Sequence, residues 1–345
     1  MTIEKGFFPT AEVQSPKILP FEVEHVLLGP DEKNGYVAKY NGTIFHENLI
    51  AYRNKKIPPI KDQPDYTENI GIDILKNNEA IPYSEILHRK NLPERIINLE
   101  DPRAFTFKED NIPKVIFGLT AVDKNKKPYP AIVVGKYPFT KKFFSEVQIL
   151  SDLPSGKNVC PFSKNVILYR EEKESHMLTM VINKNGVWEK EGEVIFPDNL
   201  EWASYKIGLT GNHWINKIWE RGTTKGRILI HGIRKNLTVQ SQERYEYSLG
   251  IAEFQWKEDY NNLCLIGISK NPILTYQQMQ KIYKEKIGED HYKELNSNKL
   301  VLYSCDGGRQ ARGKTLLPLT YKDTLIVEIS IPTKKLLKYP LLPIS

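Results

Sequence analysis

The sequence predicts an all-β protein, a five-bladed β-propeller with a short helical insertion between the fourth and fifth units. Three observations predict it: five similar segments recur along the chain, strand-like runs fill the stretches between them, and helical patterning is scarce. Alternating polar and apolar residues, β-branched side chains and tight KNG and KNN turns favour strands throughout. A pair of β-sandwiches is the alternative that these patterns leave open.

The recurring segments each contain a polar or glycine turn, an apolar strand and a polar residue at the strand end. Their central residues Ile50, Ile116, Ile167, Ile230 and Leu302 are separated by 66, 51, 63 and 72 residues. Each step is long enough for a four-stranded antiparallel unit. Such a unit cannot bury both of its faces alone, so repeated units predict blades that stack around an axis. The segments are HENLIAYR (46–53), IPKVIFGLT (112–120), SKNVILYR (163–170), TKGRILIHG (224–232) and SNKLVLYS (297–304).

One stretch departs from the strand pattern. In LTYQQMQKIYKEKIGEDHYKEL (274–295), one face of a helix would carry Tyr276, Met279, Ile282 and Tyr283. Gly288 marks a break in this pattern. We therefore expect a helical insertion at about 275–295. The predicted organisation is an N-terminal extension (1–20), a propeller domain (21–332) that contains the insertion, and a C-terminal tail (333–345).

Composition narrows the class of protein. The 345 residues are 40% hydrophobic and 26% charged, which is typical of a soluble globular chain, and no apolar run approaches the roughly 18 residues of a membrane span. The net charge of +7 permits a phosphate or an anionic glycan as partner, but no nucleic-acid-binding motif accompanies it. The N-terminus does not resemble a secretory signal, and the three cysteines are widely spaced. We expect a cytoplasmic protein with no membrane or nucleic-acid partner; a homo-oligomer stays open.

The innermost strands of a propeller converge on its axis, so the segments just before the recurring strands should line a pocket. These segments combine carboxylates and cations, as glycosidic chemistry requires: an acid protonates the leaving oxygen, and a cation cluster can hold a phosphate nucleophile. No histidine pair has metal-ligand spacing, so no catalytic metal is predicted. The segments are 35–42, 98–107, 156–163 and 219–226, with 304–312 in the fifth unit. The polar groups are Lys39, Glu100, Asp101, Arg103, Lys157, Asn158, Glu220, Arg221, Asp306 and Arg309, and the candidate sugar-stacking aromatics are Tyr40, Tyr52, Trp219, Tyr303 and Tyr321.

Several motifs resemble, in chain order, those of the five-bladed propeller glycosidases and phosphorylases. The nearest resemblance is to the β-mannoside phosphorylases of glycoside hydrolase family 130 and their uncharacterised relatives. It covers roughly residues 20–332. The motifs are EDPRAFTF (100–107), the strand end Tyr52–Arg53, GKNVCPFSKNVILY (156–169), ERGTTKGRILIHG (220–232), RYEYSLGIAEF (244–254) with ISKNPIL (268–274), and LTYKDTLIVEI (319–329).

The resemblance implies roles for single residues. Asp101 matches the catalytic acid, Glu100 and Arg103 match the residues beside it, and Arg53 matches a substrate-binding arginine. Inorganic phosphate would be the co-substrate with no other cofactor, and the partner an oligosaccharide or a sugar phosphate. The remaining residues expected to bind substrate are Lys157, Asn158, Arg221, Asp306, Asp323, Tyr40 and His231.

The sequence also departs from the phosphorylase pattern. The His-Arg pair that helps those enzymes bind phosphate is missing from HMLTMVINK (176–184), AKY (38–40) replaces their NP, and Lys322 replaces a glycine. An inverting hydrolase with Glu220 or Asp306 as base therefore stays open. So do a glycosyltransferase-like relative and a non-catalytic glycan-binding propeller.

Overall fold

The computed structural model describes a chain that is mostly β-strand. The described residues are 22–28, 36–44, 47–54, 70–76, 79–82, 95–136, 147–220, 222–237, 243–257, 263–278, 281, 285, 302–304, 309–321 and 325–344.

The described strands form five sheets, and every strand pair in them is antiparallel. In sheets I to III, and among the first four strands of sheet IV, consecutive strands pair in chain order. Sheet I contains β2 (Tyr36–Ile44), β3 (Glu47–Asn54), β4 (Ile70–Lys76) and β5 (Glu79–Pro82). Sheet II contains β6 (Ile96–Glu109), β7 (Ile112–Asp123), β8 (Pro128–Lys136) and β9 (Gln148–Ile149). Sheet III contains β10 (Gly156–Pro161), β11 (Val166–Glu171), β12 (Met177–Lys184) and β13 (Val187–Ile195).

Sheets IV and V include the strands nearest the two ends of the chain. Sheet IV contains β14 (Lys206–Glu220), β15 (Thr223–Leu237), β16 (Glu243–Lys257), β17 (Cys264–Ser269) and, at its edge, β22 (Leu341–Pro343). Sheet V contains β18 (Leu302–Ser304), β19 (Arg309–Ala311), β20 (Lys314–Tyr321), β21 (Leu325–Pro332) and β1 (Glu22–Leu28). Because β1 pairs with β21, strands from opposite ends of the sequence share one sheet, and β1 covers the edge that β21 would otherwise expose.

The first strands of neighbouring sheets lie against one another: β2 contacts β6, β6 contacts β10, and β10 contacts β14. The first strand of sheet IV, β14, also touches β6. First strands that converge in this way are the arrangement of a β-propeller, in which each blade stacks on the next. The prediction of an all-β propeller is confirmed, and the number of blades in the whole chain stays a prediction.

The buried core lies between the sheets. Between sheets III and IV, Phe162 packs edge-on against Phe254 and Trp256, with ring centroids 6.1 and 5.5 Å apart. A second cluster joins sheets IV and V, and a third joins sheets II and III. Since each blade buries its faces only against its neighbours, these interfaces fix the relative positions of the first strands.

The helical insertion begins where the sequence predicts. Residues 276–278 are helical, as are Lys281 and Glu285. Thr275 caps the start reciprocally with Gln278: the Gln278 N–H donates to Thr275 Oγ1 (3.3 Å), and the Thr275 N–H donates to Gln278 Oε1 (2.7 Å). This is a capping box, which satisfies two backbone N–H groups that the first helical turn leaves unpaired.

Residues 333–344, which belong to the predicted C-terminal tail (333–345), pack on sheet IV. A short helix α1 (Thr333–Leu337) precedes β22, and Arg227 of β15 donates to the carbonyl oxygens of Leu336 (3.1 Å) and Tyr339 (3.0 Å). The Tyr339 hydroxyl donates to two further carbonyl oxygens in the loop after β17, at 3.1 and 3.3 Å. The segment thus connects sheet V to sheet IV. The predicted domain boundaries themselves stay predictions.

Candidate functional site

Arg103 joins the first strands of sheets II, III and IV at one point. Its guanidinium Nε donates to the carbonyl oxygen of Thr210 on β14 (3.2 Å), and its NH2 group donates to Oδ1 of Asn158 on β10 (3.3 Å). Arg103 is buried, with 8% of its surface exposed. A buried guanidinium carries a permanent charge, so hydrogen bonds to it are stronger than those between neutral groups.

Asn158 is held in an unusual backbone conformation. Its φ is +57°, in the left-handed region that asparagine tolerates better than most residues. The β10–β11 pairing shifts its register between Lys157 and Cys160, so Asn158 lies in an irregularity of the strand. Irregularities of this kind redirect a side chain, and here the amide reaches toward both sheet II and sheet IV.

His231 reaches the same point from the second strand of sheet IV. It pairs with Gly208 across β14 and β15 and is almost fully buried. A Cβ placed on Gly208 would lie 2.7 Å from both Cε1 and Nε2 of His231 and 3.3 Å from Nδ2 of Asn158. The imidazole therefore lies over bare backbone at Gly208, beside the Asn158 amide. The ring centroid of Tyr247 is 6.3 Å from that of His231. We call Arg103, Asn158, Gly208, Thr210 and His231 the axial cluster.

The first strand of sheet II contains a bulge next to Arg103. Glu100 pairs with Thr120, but Arg103 pairs with Gly118, so β6 has one extra residue between these pairs. The bulge contains Asp101 and a proline, which has no N–H to donate and suits a bulge for that reason. Asp101 lies inside β6, which begins five residues earlier at Ile96 rather than close to Asp101.

Sheets II and III approach closely beside the cluster. A Cβ on Gly118 would lie 2.6 Å from the carbonyl oxygen of Val159, a distance that real Cβ atoms do not show. Gly118 is the cross-strand partner of Arg103. A glycine at this position thus lets the two strands come near enough for Arg103 to reach Asn158.

Two cations lie side by side next to Asn158. Lys157 on β10 is half-buried and pairs across the strands with Arg170 on β11, which is buried. Residues that pair directly across antiparallel strands project from the same face of the sheet. This face of sheet III therefore presents two positive groups beside the axial cluster, which favours an anionic ligand group there.

Tyr169 fixes the start of β10. A Cβ placed on Gly156 would lie 2.4 Å from two carbons of the Tyr169 ring, so the ring fills the space beside this glycine. The Tyr169 hydroxyl donates to the carbonyl oxygen of Pro154 (3.1 Å). Burial, reinforced by the charge of Glu171, raises the pKa of the Tyr169 hydroxyl well above its usual value. The hydroxyl stays protonated at neutral pH and keeps the strand end in place.

The structure brings together three of the predicted site residues: Arg103, Asn158 and His231, with Lys157 next in sequence to Asn158. It describes only the backbones of four others, Arg53 and Tyr40 in sheet I and Glu100 and Asp101 in β6. Arg221, Asp306 and Asp323 lie outside the described residues.

One expectation about sheet IV is wrong. Residues 219–226 are not its innermost strand, because β14 runs from Lys206 to Glu220 and the segment forms the hairpin into β15. Leu209, next to Thr210, pairs with Ile230 and Glu220 pairs with Thr223, seven residues away along β15, which puts Glu220 roughly 23 Å from Leu209 at the usual rise of a strand. Sheet IV contributes Gly208 and Thr210 instead. A glycine within the alternating run KIGLT (206–210) was the available signal, since strand glycines mark close backbone approach.

In the part of the chain that the structure describes, no three His, Cys, Asp or Glu side chains come together as metal ligands. A membrane-crossing helix is likewise absent from that part.

Comparison with known proteins gives structural similarity alone. No protein-family model and no curated protein matches the sequence. A β-1,2-mannobiose phosphorylase from Listeria innocua, solved with β-1,2-mannobiose, is 16% identical with a TM-score of 0.47, and the match covers 94% of each chain. A mannose phosphorylase from Leishmania mexicana, solved with phosphate, is 14% identical with a TM-score of 0.46, covering 93% of this chain and 92% of that one.

A β-xylosidase/α-arabinofuranosidase from a compost metagenome is 9% identical with a TM-score of 0.41, covering 90% of this chain and 94% of the other. The two phosphorylases are of the kind that the sequence motifs resemble. At these identities and TM-scores the likeness assigns no activity to this chain.

Proposed function

We propose that the chain is a carbohydrate-active enzyme that cleaves or forms a β-mannosidic or related bond with inversion, by phosphorolysis. The observation that carries the proposal is the hydrogen bonding of Arg103 to both Asn158 and Thr210. It supports a polar, charged site where three first strands converge, and Asp101 belongs to the β6 bulge next to Arg103.

Asp101 is the proposed general acid. As the bond between C1 and the leaving oxygen breaks, the Asp101 carboxyl gives its proton to that oxygen. A phosphate oxygen forms the new bond to C1 from the opposite face. A β-mannoside and phosphate thus yield an α-mannosyl phosphate and a shortened sugar, and atoms and charges balance without a further reactant.

The cations divide into two roles in this proposal. Arg103 is a positioning residue, because its guanidinium is bound to protein oxygen atoms on β10 and β14. Lys157 and Arg170, paired on one face of sheet III, would bind phosphate together with Arg53. His231 and Asn158 would contact sugar hydroxyls. The proposal includes a cytoplasmic setting and no cofactor beyond phosphate.

An inverting hydrolase on the same scaffold is the alternative, and it needs a second carboxylate about 6.5–9.5 Å from the acid to activate water. Glu220 does not meet that need, because it lies at the hairpin end of β14, far from Thr210. Asp306 is then the remaining candidate base. This placement of Glu220 favours phosphorolysis over hydrolysis.

The test is the phosphate dependence of sugar release from β-mannobiosides. The proposal predicts mannosyl phosphate in the presence of inorganic phosphate and no release without it. Free mannose released without phosphate would establish the hydrolase instead. Saturable mannobioside binding without turnover in either buffer would establish a binding protein.

A further inference from the structure

A cavity of about 390 Å³ lies at one end of sheet IV, apart from the axial cluster. Its walls come from the ends of β15 and β16, the 3-10 turn Glu201–Ala203 and the loop 270–277. The volume is within the range of about 300–1,000 Å³ that is usual for small-molecule sites. Arg234, which lines it, is three residues from His231 on the same strand, so the two side chains project from opposite faces of sheet IV.

The charges in the cavity wall balance. The Arg234 NH2 group donates to Oε2 of Glu246 at 2.7 Å, and its NH1 group lies 3.8 Å from Oε1 of Glu201. Glu246 is buried, with 8% of its surface exposed. The fourth charged group of the lining is Lys270, so two cations face two carboxylates. A balanced wall offers charge-assisted donors and acceptors but attracts neither anions nor cations as a class.

The rest of the lining combines neutral polar groups with the apolar side chains of Leu200, Pro272, Leu342 and the largely buried Trp202. Ser248, Asn271 and Gln277 supply hydroxyl and amide groups that both donate and accept. Trp202 is fixed in the wall because its indole N–H donates to the carbonyl oxygen of Ser269 at 3.3 Å. Many donors and acceptors beside an apolar surface match a ligand that carries several hydroxyls on a carbon ring.

We propose that this cavity binds one neutral saccharide unit, at a site separate from the axial cluster. The inference goes beyond the proposed function, since it depends on the cavity wall and not on Asp101 or phosphate. Binding in this cavity would hold a glycan on sheet IV whether or not the axial cluster cleaves that glycan.

Site-resolved NMR titration of the full chain tests the proposal, with methyl β-mannoside as the neutral probe and glucuronate as the anionic one. The expected result is saturable shifts of the backbone amides of Ser248 and Asn271 with the mannoside, and at least tenfold weaker binding of glucuronate. The amides of Asn158 and Thr210 report the axial cluster in the same spectra. Shifts confined to the amides of Asn158 and Thr210 would overturn the cavity proposal and leave the proposed function standing. Shifts confined to the amides of Ser248 and Asn271 would support the cavity proposal and overturn the proposed function.

Replacing the part-buried ion pair between Arg234 and Glu246 gives the decisive variant. Arg234→Met with Glu246→Leu removes both partners together, which avoids leaving one charge buried and alone. We expect the affinity of the cavity for methyl β-mannoside to fall at least tenfold. The matched control is Lys190→Met with Glu193→Leu, which removes an ion pair at 2.6 Å on the outer strand of sheet III. This control should leave the affinity for methyl β-mannoside unchanged.

A second variant covers the case in which the paired replacement fails to fold. Gln277 is exposed, so Gln277→Ala should fold normally and weaken mannoside binding at the cavity at least threefold. If the paired replacement folds and keeps wild-type affinity for methyl β-mannoside, the proposal is overturned. If it does not fold, wild-type affinity in Gln277→Ala overturns the proposal instead. Glucuronate binding as tightly as the mannoside would also overturn the proposal.

Discussion

Replacing Gly208 with alanine should displace His231 and so disturb the axial cluster. The new Cβ would lie 2.7 Å from two atoms of the imidazole, whereas ordinary contacts are 3.4–4 Å, so the ring must move by at least about 0.7 Å. His231 is buried and cannot swing away into solvent. Overpacking of this kind costs about 1–3 kcal/mol of unfolding free energy. A displacement approaching 1 Å in a catalytic site lowers kcat/KM by up to about 100-fold.

Urea unfolding and kcat/KM for β-mannoside phosphorolysis measure the two effects. Gly192→Ala is the matched control, because a Cβ on this strand glycine would meet only the flexible end of Met180, at 3.4 Å. In a His231→Ala background the ring is gone, so Gly208→Ala should cost less than about 0.5 kcal/mol, and the difference is the coupling energy between the two positions. If Gly208→Ala lowers the unfolding free energy equally in the wild-type and His231→Ala backgrounds, the proposed clash is refuted. Wild-type kcat/KM in Gly208→Ala would refute the effect of the clash on the site.

Two further predictions concern stability. Arg227→Met removes an ion pair with Glu253 at 2.9 Å and two hydrogen bonds to carbonyl oxygens at the end of α1, so urea unfolding should show a loss of about 2–4 kcal/mol. The control Lys225→Met, which removes an exposed partner of Glu253, should cost less than about 1 kcal/mol, and equal losses would contradict the role of Arg227. Burial raises the pKa values of the Tyr169 and Tyr339 hydroxyls above the usual 10, so the folded chain retains protons that the unfolded chain loses near that pH. The contribution of these two hydroxyls to stability is complete below pH 10 and is lost as the pH rises above 10. In urea unfolding at a series of pH values, Tyr339→Phe should reduce this loss of unfolding free energy at alkaline pH. The same dependence of unfolding free energy on pH in Tyr339→Phe and wild type would contradict the prediction.

The sheets were predictable where strand and turn signals coincide in the sequence. The recurring segments correspond to β3, β7, β11 and β15, and the first strands of sheets II and III fall where the sequence places them. The first strand of sheet IV was misplaced because its end, WE at 219–220, is followed directly by a glycine turn, which made the hairpin resemble a strand start.

The axial cluster was only partly predictable because it depends on contacts between sheets. Arg103 and Asn158 stand out as a charged and a polar residue in strand segments. Thr210, however, contributes through its backbone carbonyl oxygen, which no side-chain pattern reveals. The same holds for the packed C-terminal segment: α1 is held by backbone carbonyl oxygens that receive hydrogen bonds from Arg227, more than a hundred residues away.

The most direct test of the proposed function is the turnover of Asp101→Asn against that of Asp110→Asn. Both variants replace one carboxyl on β6 or its hairpin with an amide, but Asp110 is exposed at a φ of +51°, where asparagine is well tolerated. The account predicts that Asp101→Asn loses phosphorolysis of β-mannobiosides by at least about 100-fold, as expected for removal of a general acid, with unchanged unfolding in urea. Asp110→Asn should keep wild-type kcat/KM. Full turnover by Asp101→Asn would contradict the account.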